Sequence, residues 1–128
     1  VSAAALEATE PIVPDAIRRL GDSPRWADVV VHRGVARWVE VADDAAAPMR
    51  EQTAQVLAQI DATLAMLGAD RTRLLSLTIY LSDLADAPVL NELWDAWVPR
   101  GHAPVRACVQ AGLSGSLRIE VLVTAAVE

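Results

Sequence analysis

Ala103-Pro104-Val105-Arg106-Ala107-Cys108-Val109 and, shortly after, Leu117-Arg118-Ile119-Glu120-Val121-Leu122-Val123 both alternate in the manner of half-buried strands. Only the stretch Gly112 to Ser116 separates them, so an antiparallel hairpin is expected. Side chains on a strand alternate between faces. Val105, Ala107 and Val109 are then expected to share the apolar face with Ile119, Val121 and Val123. Arg106, Cys108 and Gln110 are expected on the other, with Glu120, Leu122 and Thr124. A symmetric loop sets Cys108 opposite Glu120, with Arg106 on the diagonal, roughly 7–8 Å away. A cation that grips a carboxylate, beside a carboxylate that moves a proton, outlines a small-molecule site.

Upstream, Leu74 to Ser82 reads as another strand, with Ser76, Thr78 and Tyr80 on one face and Leu75, Leu77, Ile79 and Leu81 on the other. A helix is expected on each side of it in sequence. One runs from about Pro48 to Leu67, with Val56, Leu57, Ile60, Leu64 and Leu67 as its apolar stripe and Gly68 as its stop. The other runs from about Ala87 to Val98, with Asp86 as N-cap and Pro99 and Gly101 ending it. Val29 to Val31 and Val35 to Val41 are strands joined by a turn at Arg33-Gly34. Residues 1–24 read as an N-terminal extension holding a short helix, Pro14 to Leu20; residues 25–128 are the single domain. The order ββαβαββ gives an α+β fold, a mixed sheet with both helices on one face. The other face would carry Ser76, Thr78, Tyr80, Arg106, Cys108, Gln110, Glu120 and Thr124. That face is too polar for a core and too organised for free solvent, and a subunit interface lined with a polar pocket satisfies both.

Composition narrows the class. The 128 residues suit one core, and a hydrophobic content of 53% argues for a globular chain. A net charge of −6 and a pI near 4.8 argue against nucleic acid or an anionic membrane as partner. No run approaches the roughly 18 apolar residues of a membrane span, and the Ala-rich start lacks the basic region of a signal peptide. The single Cys108 rules out an intrachain disulfide, and a cytoplasmic location is the simplest expectation. His32, His102 and Cys108 show no metal-ligand spacing.

Four stretches resemble the RidA/YjgF group of enamine/imine deaminases, over roughly Arg25 to Val127. They are Gln52-Thr53 with Gln59-Ile60-Asp61 and Leu67-Gly68-Ala69-Asp70; Thr78-Ile79-Tyr80-Leu81-Ser82-Asp83; Asn91-Glu92-Leu93-Trp94-Asp95-Ala96-Trp97; and Pro104-Val105-Arg106 with Ile119-Glu120-Val121. The phrase Trp94-Asp95-Ala96-Trp97-Val98, followed by Gly101-His102-Ala103-Pro104-Val105-Arg106, is similar to the YoaB-type subgroup. The resemblance implies a chorismate-mutase-like homotrimer with a pocket at each subunit interface, acting on a small molecule without a cofactor. It also implies that Arg106 binds a substrate carboxylate, that Glu120 activates the hydrolytic water, and that Asn91 and Cys108 line the pocket. Trp26 falls where many members place an aromatic wall. The chain departs from the family at Val39-Glu40, where members carry a small residue and then glycine. A glutamate there would repel a substrate carboxylate unless it points away or pairs with Arg106.

Each residue also has a plainer reading. Arg106 and Glu120 would serve equally as a structural or interfacial ion pair. Cys108 reads as a small buried hydrophobe, His102 as a loop residue, and Trp94 and Trp97 as packing. Three functions stay open. The first is hydrolysis or tautomerisation of an anionic enamine or imine. The second is a divergent member repurposed for a dedicated step such as cyclisation, dehydration or hydrolysis of a pathway intermediate, with Glu40 as a second acid/base group. The third is a non-catalytic trimeric binding module.

Overall fold

A computed structural model describes residues 15–128. The strands are β1 (Arg18–Leu20), β2 (Val29–His32), β3 (Val35–Val41), β4 (Leu74–Leu81), β5 (Val105–Gln110) and β6 (Ile119–Ala126). Helices α1 (Met49–Met66) and α2 (Ala87–Trp97) flank β4 in sequence. Among the described residues, these six strands form one sheet in the order β1-β2-β3-β6-β4-β5. The expected short helix is corrected where it can be seen, since Arg18–Leu20 is a strand paired antiparallel to β2. Residues 1–14, which hold the rest of the expected extension, lie outside the described residues.

The helices form where periodicity places them. Met49, Gln52, Thr53, Val56, Leu57, Ile60 and Leu64 make the buried stripe of α1. Gly68 ends it at φ +75°, a left-handed conformation that costs glycine little. On α2 the buried residues are Leu90, Trp94 and Trp97. Asp86 stands at the N-cap of α2 but does not cap it; its carboxylate accepts from Arg118 Nη2 at 2.9 Å instead. The core lies between these stripes and one face of the sheet, which contributes Ala36, Trp38, Leu77, Ile79, Leu81, Ile119, Val121, Val123 and Ala125.

The hairpin is not formed. β5 pairs parallel with β4, and β6 pairs antiparallel with the other side of β4. The connection between β5 and β6 therefore passes over the end of β4. Ala111 N–H donates to Leu81 O at 2.9 Å, and Ser82 N–H donates to Arg118 O at 3.1 Å. Burial decides between the two arrangements. Leu77, Ile79 and Leu81 are at most 1% exposed, and burying each contributes about 1.5–3 kcal/mol. A β5–β6 hairpin would displace β4 from between its neighbours and expose that row. The parallel β4-α2-β5 unit is an ordinary crossover.

The faces of β5 are consequently the reverse of those expected. Leu77 is the register partner of Arg106 and Ile79 that of Cys108, so both residues lie on the helix side of the sheet. Val105, Ala107 and Val109 lie on the open side, where Val105 is 75% exposed. The open side has three cross-sheet rows: Arg37-Thr124-Ser76-Val105, Val39-Leu122-Thr78-Ala107 and Val41-Glu120-Tyr80-Val109. Val39, Leu122, Val105 and Val109 leave it substantially apolar. A β-bulge between Leu74 and Ser76 turns Leu75 outward, away from the face expected for it.

Candidate functional site

Arg106 projects from the edge strand β5 over the flank of α2. Its Nη2 donates to Asn91 Oδ1 at 2.9 Å, and its guanidinium carbon lies 5.2 Å from the centroid of the Trp94 ring. Asn91 and Trp94 are three residues apart on α2 and so present one helix face. Cys108 follows two residues on from Arg106 on the same side, half-buried against the core. Burial pushes its thiol above the ordinary value, and the Arg106 charge only partly opposes this. The thiol is therefore protonated at neutral pH and is a poor nucleophile. Three of the expected site residues, Arg106, Asn91 and Cys108, thus come together.

Glu120 is elsewhere. It is half-buried on the open side, between Val41 of β3 and Tyr80 of β4, with Val109 at the end of the same row. Strand β4 lies between it and Arg106, and the two side chains leave opposite faces of the sheet. The expected single-chain pair is corrected: the intervening strand puts the two backbones about 10 Å apart, on top of the change of face. Val39 is on the Glu120 side, 55% exposed.

Glu40 faces the other way, toward α1. Its carboxylate accepts from Trp38 Nε1 at 3.0 Å and from Gln59 Nε2 at 2.9 Å. Burial raises its proton affinity above the ordinary carboxylate value, while these two hydrogen bonds act in the opposite direction. With Asp43, Gln59, Ala62, Thr63 and Met66 it lines a shallow hollow. Two strands separate β3 from β5, about 14 Å at ordinary strand spacing, so Glu40 does not pair with Arg106. Trp26, 65% exposed, stands on the β1–β2 connection at the far edge of the sheet from β5. Among the described residues, no group of three or more His, Cys, Asp or Glu side chains converges in a way that would hold a metal.

Sequence reasoning took Trp94 only as packing, missing its place beneath Arg106, and put Tyr80 on one face with Glu120 without placing the two side by side. Helical spacing from Asn91 carries the signal for Trp94. Nothing local signals Tyr80, because its position depends on the order of the strands.

The model of the family described as Endoribonuclease L-PSP matches residues 26–127. The chain is 44% identical to the RutC family protein YoaB of Escherichia coli strain K12 over 112 residues, 87% of this chain and 98% of that protein. It belongs to the RidA/YjgF family. A YjgF-family protein from Neisseria meningitidis, of known crystal structure, superposes with a TM-score of 0.83 at 40% identity. That match covers 88% of this chain and 96% of the other. A Salmonella typhimurium structure superposes with a TM-score of 0.81 at 45% identity over 88% and 98% of the two chains. The six-stranded mixed sheet with two helices is thus the α+β fold of RidA/YjgF structures. Among the described residues, no helix is long and apolar enough to cross a membrane.

Proposed function

We propose that this RidA/YjgF chain hydrolyses a small enamine or imine bearing an anionic group, in a site assembled between copies of the chain. One observation carries the reading: Arg106 and Glu120 leave opposite faces of one sheet, and among the described residues nothing covers the largely apolar face around Glu120. A face holding Val39, Leu122, Val105 and Val109 is of the kind that oligomers bury. A second copy seated there brings its own Arg106 edge toward Glu120. The family's trimeric habit makes three such sites.

In this site Arg106 holds the substrate carboxylate through charge-assisted hydrogen bonds. Glu120 takes a proton from water as the oxygen adds to the C=N carbon, and the proton returns to nitrogen. From the resulting carbinolamine the hydroxyl proton then passes by way of the Glu120 carboxylate to nitrogen as the carbon–nitrogen bond breaks, leaving a carbonyl compound and ammonia. Only proton transfers are required, so no cofactor takes part. Glu40 against α1 lends no support to a second acid/base group or to a repurposed reaction through it. The family model's description names an endoribonuclease, but a net charge of −6 is poorly matched to a polyanion.

Complementation between subunits tests the proposal. Arg106→Ala should raise KM for 2-iminopropionate about 10- to 100-fold, the loss of a charged hydrogen-bonding partner. Glu120→Ala should lower kcat about 10²- to 10⁴-fold. Unfolding and reassembling the two variants together should restore about a quarter of the wild-type sites, because random mixing joins an intact Arg106 to an intact neighbouring Glu120 at that frequency. A mixture as inactive as its components would mean that the two residues do not meet across an interface.

A further inference from the structure

The Arg106 guanidinium sits at the end of a chain of ring contacts. Beneath it is the Trp94 ring, whose centroid lies 5.5 Å from that of Trp97, with the rings tilted by 44°. Arg71 lies over Trp97, its guanidinium carbon 5.0 Å from the ring centroid. Four hydrogen bonds anchor the far end. Arg71 Nε and Nη2 donate to the two oxygens of Asp61 at 2.7 and 2.8 Å, and Arg71 Nη1 donates to Trp97 O at 2.9 Å. Trp97 Nε1 donates to Asp61 Oδ2 at 3.1 Å. Both tryptophans are under 10% exposed.

We propose that Trp94, backed by Trp97, is a positioning residue that holds the Arg106 guanidinium ready for an incoming carboxylate. This rests on the reading of Arg106 as the anion site. An arginine on an edge strand has many rotamers, and freezing them on binding weakens affinity. Here the ring holds the guanidinium from one side, and the Asn91 amide oxygen holds its Nη2. The remaining N–H donors are left for a carboxylate in a set direction. Cation–π attraction grows with the ring, so tryptophan holds the cation better than phenylalanine, and leucine lacks the effect. Trp94 touches no substrate; it acts through Arg106.

Two measurements on wild type, Trp94→Phe and Trp94→Leu test this. The first is nitrogen-15 relaxation of the Arg106 Nε–H group, which needs no ligand. It should be rigid in wild type, nearly so in the phenylalanine variant and mobile in the leucine variant. The second is calorimetric titration with pyruvate, a small keto acid. Trp94→Leu should weaken binding about three- to thirtyfold, with Trp94→Phe recovering most of it. The same variants should show raised KM for 2-iminopropionate with kcat less affected. If Trp94→Leu fails to fold, Trp94→Phe against wild type carries the comparison. Equal Nε–H rigidity in the folded variants overturns the positioning role, as does equal pyruvate affinity in proteins that bind it. Pyruvate binding that survives Arg106→Ala overturns instead the anion-site reading beneath it.

Discussion

Glu40 is a carboxylate that folding leaves partly out of water, and its raised proton affinity ties stability to pH. The protonated form is favoured more in the folded chain than in the unfolded one. Stability linked to this group is therefore greatest at pH below its ordinary value of 4.5. It declines as pH rises through the window above that value and levels off once the folded group is ionised. Glu40→Gln removes the titration and keeps one acceptor for Trp38 or Gln59. Thermal melts of wild type and Glu40→Gln from pH 4 to 8 should show wild type losing ground to the variant as pH rises. Parallel curves would show that Glu40 is ionised without penalty. Because Glu40 faces α1, on the opposite side of the sheet from Glu120, the same substitution should leave imine hydrolysis within about twofold.

At the scale of elements, Gln52 of α1 shows how a buried polar side chain holds loops. Its Nε2 donates to Ala47 O at 2.8 Å and Ala45 O at 3.1 Å, and its Oε1 accepts from Arg118 N–H at 2.9 Å. It joins the β3–α1 loop to the residues just before β6. Gln52→Ala leaves the buried Ala47 O and the half-buried Arg118 N–H without this partner, while Ala45 O keeps Ser116 Oγ at 2.6 Å, and should cost about 2–4 kcal/mol in urea unfolding. The elements themselves were legible, since α1, α2, β4 and β6 carry clear periods. The sheet order was not. A short connection between two alternating runs fits both a hairpin and a step across a third strand, and only the burial of Leu77, Ile79 and Leu81 separates them. The same ambiguity reversed β5. Its alternation of valine with Arg106 and Cys108 marks two faces without saying which one meets the helices. The family resemblance singled out Asn91, Arg106 and Cys108, and the fold brings the three together. Their separation from Glu120 follows from strand order, which no motif contains.

For the whole molecule, the open side of the sheet is the feature to test. Leu122 lies near its centre, between Val39 and Thr78 in register, and is 38% exposed. Leu122→Asp places a charge there at little cost to an isolated subunit, within about 0.5 kcal/mol. Light scattering should report an oligomer for wild type and a monomer for this variant, with hydrolysis lost alongside. An active monomer would contradict a site shared between subunits. The place of β6 in the sheet order carries a consequence for synthesis. Of the strands of this sheet, β6 is translated after the other five, and it lies between β3 and β4. Until it leaves the ribosome, β1-β2-β3 and β4-β5 are two ribbons with no strand to join them, each with an open edge. The nascent chain therefore cannot close its sheet early, and a chain stalled after Gln110 should remain protease-sensitive however long it waits.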